Sequence, residues 1–122
     1  MTEGKFFQDL VVWRQSMTLV EEVSRVTQAF PSEERYGLSS QLRRAAVSIP
    51  SNIAEGSQRR QRKVFVYFLR ISLGSRAEVV VQLEIARRLG FLSSEAHQRL
   101  TEQADTIGKM LHGLIAAVER QY

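Results

Sequence analysis

Leu100, Ala104, Ile107, Leu111, Leu114 and Val118 recur at alternating steps of four and three residues. An α-helix turns once in 3.6 residues, so these six side chains fall along one line, as they would on the seam of a helix packed against others. Each large apolar side chain kept in water would forfeit about 1.5–3 kcal/mol of burial. Such a seam therefore requires neighbouring helices, and the rest of the chain must supply them.

Three further segments do so. Leu10, Val12, Trp13, Met17, Leu19, Val20, Val23, Val26 and Phe30 occupy half of a helical wheel, with Arg14, Gln15, Glu21, Glu22, Arg25 and Gln28 on the other half. Asp9 is the expected N-cap of this helix, and Pro31 sets its expected end at Phe30. A second helix is predicted from Ser32 or Leu38 to Ala54, with Leu38, Leu42, Ala45, Ile49 and Ile53 as its stripe and Gly56 as terminator. A third runs from Arg60 to Leu89 and stops at Gly90, a suitable left-handed residue. It carries Phe65, Phe68, Leu69, Leu73, Val79, Val80 and Leu83 on more than one face, more than one core needs. The fourth opens at Ser93 or Ser94. Short connections and the lack of strand-like alternation predict an all-α, antiparallel up-down-up-down four-helix bundle forming one domain over residues 1–122. The hydrophobic share, 43%, suffices for a core of that size.

The chain has no cysteine, which excludes disulfides and thiolate zinc sites. Its start lacks the pattern of a signal peptide, and its longest uninterrupted apolar run, Val64 to Leu69, is far below the roughly 20 residues that span a bilayer. The expectation is a cytoplasmic protein with no membrane partner.

Charge is concentrated. Between Gln41 and Arg70 stand Arg43, Arg44, Arg59, Arg60, Arg62, Lys63 and Arg70 against the single acid Glu55, a local +6 within a net +4. Such asymmetry points to a surface that meets an anion, most naturally a phosphate backbone. Arg59, Arg60, Arg62 and Lys63 are the expected phosphate contacts, with Arg43 and Arg44 extending that surface or lying at a subunit contact. Gln41, Ser48, Asn52 and Glu55 share with Arg44 a polar stripe on the second helix. Serine and asparagine are mediocre helix formers, so this stripe is read as a hydrogen-bonding contact to a partner subunit or ligand. Pro50 interrupts the same helix, removing one backbone hydrogen bond to Ala46. The apolar stripe continues beyond it, which predicts a kink and not an end. Ser72, Gly74 and Ser75 form a small-residue patch against which that segment could lie.

Motifs for catalysis are missing: there is no Gly-rich phosphate loop, no Gly-x-Ser-x-Gly and no His-Glu-x-x-His. His97 and His112 are 15 residues apart on one helix, about 22 Å, too far to share a metal. The pairs Glu21–Glu22 and Glu33–Glu34 read as solvated charge, and Trp13, Phe65 and Phe68 as core. The chain is therefore expected to be no enzyme and to need no cofactor or metal.

The stretches "LVVWRQSMTLVEEV", "FPSEERYGLSSQLRRAAVSIPSNIAEGSQRR", "FVYFLRISLGSRAEV" and "ARRLGFLS" resemble the bacterial large-subunit (23S) ribosomal RNA intervening-sequence protein family over about Phe7 to Leu114. "GLSSQLRRAAVSIPSNIAEGSQR" is the most specific part, and Arg43, Arg44, Asn52, Glu55 and Arg59 match the family motif. The resemblance implies a four-helix bundle whose subunits assemble into a ring, commonly a pentamer, with a basic surface proposed to bind nucleic acid. Relatives include accessory subunits beside reverse transcriptases of diversity-generating retroelements. The block "SQRRQRK" is more basic than the family pattern.

These readings converge on a non-enzymatic homo-oligomer that binds nucleic acid, RNA or DNA, by charge and structure more than by sequence. The alternative is a protein-interaction scaffold, such as an accessory subunit of a reverse transcriptase or ribonucleoprotein.

Overall fold

In the computed structural model, which describes residues 7–121, four helices follow one another: α1 (Val11–Thr27), α2 (Leu38–Gln58), α3 (Arg62–Arg88) and α4 (Ser94–Arg120). Single 3-10 turns at Phe7–Asp9 and Ser32–Glu34 precede α1 and α2. Each helix packs against two others, α1 on α2 and α4, and α3 on α2 and α4, while the diagonal pairs stay apart. This is the antiparallel four-helix bundle, and the short connections 59–61 and 89–93 enforce its alternation. One end of the bundle gathers the start of α1, the 59–61 connection and the close of α4. The other gathers residues 28–37 and 89–93.

Leu19, Val23, Leu42, Ile49, Ile53, Leu69, Val79, Leu83, Leu100, Ile107 and Leu111 fill the core. On α4 the seam drifts after Leu111. Ile115 is buried where the strict 4-3 repeat places Leu114, which is only half-buried. A straight helix lags a seven-residue repeat by about 20° each heptad, so the buried line must step sideways.

Several boundaries differ from the sequence reading. Leu10, not Asp9, is the N-cap of α1 and offers no side-chain hydrogen bond. The helix ends at Thr27, three residues before Phe30, whose ring turns inward beside Phe91 with centroids 5.7 Å apart. Helix α2 starts at Leu38, where the Glu34 carboxylate accepts a hydrogen bond from the Leu38 amide at 3.0 Å. It runs through Gly56 to Gln58, so Gly56 terminates nothing. Gly90, with φ of 81°, does close α3, and the Ser93 hydroxyl caps α4 by accepting from Ala96 N–H at 3.1 Å.

Helix α2 is continuous across Pro50, which is buried. The small residues of α3 meet it there. Buried Ser72 donates to the Ile49 carbonyl at 2.9 Å, and Ser75 shares a 2.7 Å hydrogen bond with Ser48. The carbonyl engaged is Ile49's and not Ala46's. Gly74 takes no part; it faces open space.

Candidate nucleic-acid interface

The basic block lies where α2 hands over to α3. Gly56 makes the close approach possible: a β-carbon there would sit 2.7 Å from Phe68 Cβ and 3.1 Å from the Phe65 ring. Two residues on, the chain must reverse within three residues, and Arg60 supplies the left-handed conformation with φ of 60°. A non-glycine residue there costs about 1–2 kcal/mol. Arg59 Nε donates to Glu55 Oε2 at 2.6 Å while its guanidinium lies 5.5 Å from the centre of the Phe68 ring. That exposed i,i+4 pair contributes little to stability but fixes the Arg59 side chain over an aromatic face.

Helix α3 then begins against ordinary preference. Its N-cap, Gln61, makes no side-chain hydrogen bond, and its first turn holds Arg62 and Lys63 with no acid. The positive end of a helix dipole disfavours cations by about 0.3–1 kcal/mol each, and its first amides lack intrahelical acceptors. Cations, an uncapped helix start and a cleft of about 180 Å³ between Ser57, Arg60, Gln61 and Gln121 thus meet at one end of the bundle. An anion is the ligand that this combination favours.

Arg43 and Arg44 do not extend this surface. Sixteen residues separate Arg43 from Arg59 on one continuous helix, about 24 Å of axis. Arg43 Nε instead donates to Thr27 Oγ1 at 2.8 Å, bridging α2 to α1 near the opposite end, and Arg44 is exposed. The polar stripe is largely satisfied within the subunit: Asn52 Nδ2 donates to the Ser48 carbonyl at 2.8 Å and to Ser48 Oγ at 2.9 Å, and Ser48 continues to Ser75 on α3. Of its members, Gln41 and Arg44 remain open to solvent, and Glu55 is held by Arg59.

Acids and bases are balanced differently elsewhere. At the far end of α3, Arg87 and Arg88 both grip Glu84, which also lies 3.1 Å from His97 of α4. Hydrogen bonds from Arg87 first, then Arg88, lower the Glu84 carboxyl to about 2. Glu22 on α1 pairs with Arg25 and with Arg99 of α4, and Arg25's hydrogen bond is the main cause holding its carboxyl below the usual range. Glu22 and Glu34 are therefore structural, not merely solvated as the sequence reading had them. His112 is exposed, and among the described residues no three His, Asp or Glu side chains gather as a metal site.

Two apolar features reach the surface. Trp13, Met17, Val20, Val47 and Pro50 line a groove of about 330 Å³ between α1 and α2. On the outer side of α3, Val81 and Ile85, and Leu89 just past its end, follow at i,i+4 spacing and are 58%, 41% and 57% exposed; Tyr67, 62% exposed, stands on the same face 14 residues before Val81. Periodicity singled out different α3 residues: Leu69, Val79 and Leu83 are buried, and Phe65, Leu73 and Val80 pack against the core. The solvent-facing stripe was missed because Arg70, Gly74 and Glu78 interrupt that face between Tyr67 and Val81.

Among the described residues, no helix is long and apolar enough to cross a membrane. No curated protein matches the sequence. A crystal structure of a protein of unknown function from the S23 ribosomal protein family of Bacteroides thetaiotaomicron is similar, with 25% identity, a TM-score of 0.81, and coverage of 87% of this chain and 96% of that one. The family model of the 23S rRNA-intervening sequence proteins matches residues 8–113. With the bundle and the near full-length match in agreement, the chain belongs to the 23S rRNA-intervening sequence protein family.

Proposed function

We propose that the protein is a non-enzymatic, homo-oligomeric bundle that binds nucleic acid, RNA in the first instance, through the cationic end built by Arg59, Arg60, Arg62 and Lys63. The observation that carries this reading is the start of α3, where cations replace the acids that a helix N-terminus ordinarily holds and no side chain caps it. Contacts of this kind engage phosphates and leave base edges unread, so binding follows charge and shape.

Assembly multiplies the effect. The α1–α2 groove and the α3 ridge are different apolar surfaces on one subunit, which suits a heterologous contact, ridge into groove, that closes as a ring. Five subunits is the number that the family resemblance implies. Each would present the same cationic end, and several weak contacts on one strand act together. The same apolar surfaces also support the second reading, a scaffold whose partner is another protein, such as a reverse transcriptase. Crosslinking in cells followed by sequencing of the bound nucleic acid separates the two. The first reading predicts recovered RNA or DNA joined to the segment around residues 59–63; recovery of protein alone overturns it.

A further inference from the structure

A second anion-suited site lies at the opposite end of the bundle, where the 28–37 connection folds over the junction of α1 and α2. A cleft of about 200 Å³ is lined there by Arg35 and Arg43, by the polar residues Thr27, Ser32 and Ser39, and by Phe30. It is a built feature. Thr27 and Ser39 are buried, and Phe30 is anchored against Phe91.

Arg43 is held in place from behind. Its Nε donates to Thr27 Oγ1 at 2.8 Å, and that hydroxyl in turn donates to the Val23 carbonyl at 2.8 Å, so the guanidinium is oriented by a chain of bonds leading into α1. Its terminal nitrogens make no hydrogen bond or ion pair with the described residues, and neither does the Arg35 guanidinium, which lies 5.6 Å from the centre of the Tyr36 ring. No acid lines the cleft. Of the two acids in the connection, Glu34 is turned to the Leu38 amide, and Glu33 lies outside the lining. Two guanidinium groups, each with a planar fork of donors, with hydroxyls beside them and no counter-charge, match a tetrahedral oxyanion of two negative charges. The volume falls below the 300–1,000 Å³ typical of pockets for whole small molecules, which fits a phosphate group better than a complete cofactor. A backbone phosphodiester carries one charge, whereas a phosphate monoester carries about −1.5 to −2 at neutral pH.

We propose that the cleft bounded by Arg35, Arg43, Thr27, Ser32 and Ser39 binds a phosphate monoester, supplied either by the phosphorylated end of a nucleic-acid strand or by a free mononucleotide. This site does not depend on the basic end described above, since about 24 Å of helix α2 separates Arg43 from Arg59.

The test is a nuclear magnetic resonance titration of the full chain at low ionic strength, following the Arg43 side-chain N–H and the Thr27 and Ser39 amides. The probes are adenosine 5′-monophosphate and a short oligonucleotide with either a 5′-phosphate or a 5′-hydroxyl. Saturable shifts in the millimolar range or below with the mononucleotide, absent with the 5′-hydroxyl strand, are expected. If the 5′-phosphorylated strand gives them too, the source is a strand end; if only the mononucleotide does, the source is a free nucleotide. Arg43→Gln and Arg35→Gln should each weaken the response at least about tenfold. Alanine at Arg59, Arg60, Arg62 and Lys63 together should leave it in place, so failure here and failure of the nucleic-acid reading are distinguishable. No saturable shift from any phosphorylated probe, or an equal one from the 5′-hydroxyl strand, overturns the proposal, and the unmodified protein alone decides this should a variant not fold.

Discussion

Arg60 occupies a backbone conformation that glycine would adopt without strain. Relief of about 1–2 kcal/mol in the folded chain outweighs the 0.4–1 kcal/mol by which glycine loosens the unfolded one. Arg60→Gly should therefore stabilise the protein by about 0.5–1 kcal/mol while weakening its hold on nucleic acid. Thermal unfolding beside a binding isotherm checks both signs; if stability rises and binding stays, Arg60 is no phosphate ligand. Gly56 behaves oppositely. Alanine is the better helix former by about 1 kcal/mol, but a β-carbon 2.7 Å from Phe68 Cβ would force α2 and α3 apart at a cost of about 1–3 kcal/mol. Gly56→Ala should lower the melting temperature despite its helix propensity. In the sequence Gly56 reads as a terminator, the commonest use of a glycine near a helix end. That it serves close approach depends on which α3 aromatics face it, and no local pattern carries that.

The elements themselves were legible where one face repeats. Four helices and the stop at Gly90 follow from spacing and turn chemistry, which also narrow the start of α4 to Ser93 or Ser94, of which Ser93 is the cap. The end of α1 does not follow, because Phe30 continues the apolar pattern after the backbone has left the helix. Pro50 is the element-scale anomaly. Restoring its N–H with Pro50→Ala should keep the bundle helical but remove a ring that lines the α1–α2 groove. If that groove receives a neighbouring subunit, light scattering will show weaker assembly while circular dichroism shows unchanged helix content; unchanged mass and melting temperature together would remove Pro50 from the mechanism. The α3–α4 junction has its own signature. The Glu84 pKa is lowered in the fold from an ordinary 4.5 to about 2. Its contribution is present in full above the ordinary value and is lost as pH falls toward 2, where the carboxylate protonates. Denaturant unfolding across that window should show Glu84→Gln with a shallower acid loss of stability than the unmodified protein. Identical slopes would mean that Arg87 and Arg88 contribute nothing through Glu84.

For the whole molecule, the charge block read from the sequence divides in two in space. Arg59, Arg60, Arg62 and Lys63 share one end, while Arg43, 16 residues earlier on α2, is tied to α1 near the other. Linear counting treats both as one +6 segment because helix length is invisible in a charge sum. The polar stripe was likewise visible, but its partners were not: Asn52 bonds to Ser48 one turn back on α2, and Ser48 bonds to Ser75 on α3 of the same subunit, a contact that only tertiary packing creates. The claim that remains central is that the 59–63 end neutralises phosphates. Its most direct test is the salt dependence of binding to a mixed-sequence single strand. The slope of log affinity against log salt should be about −0.7 for each phosphate neutralised, and alanine at Arg59, Arg60, Arg62 and Lys63 should flatten it with the oligomer intact. A protein that shows no salt-sensitive binding to any RNA or DNA at low ionic strength, or a variant whose slope matches the unmodified chain, would contradict the account.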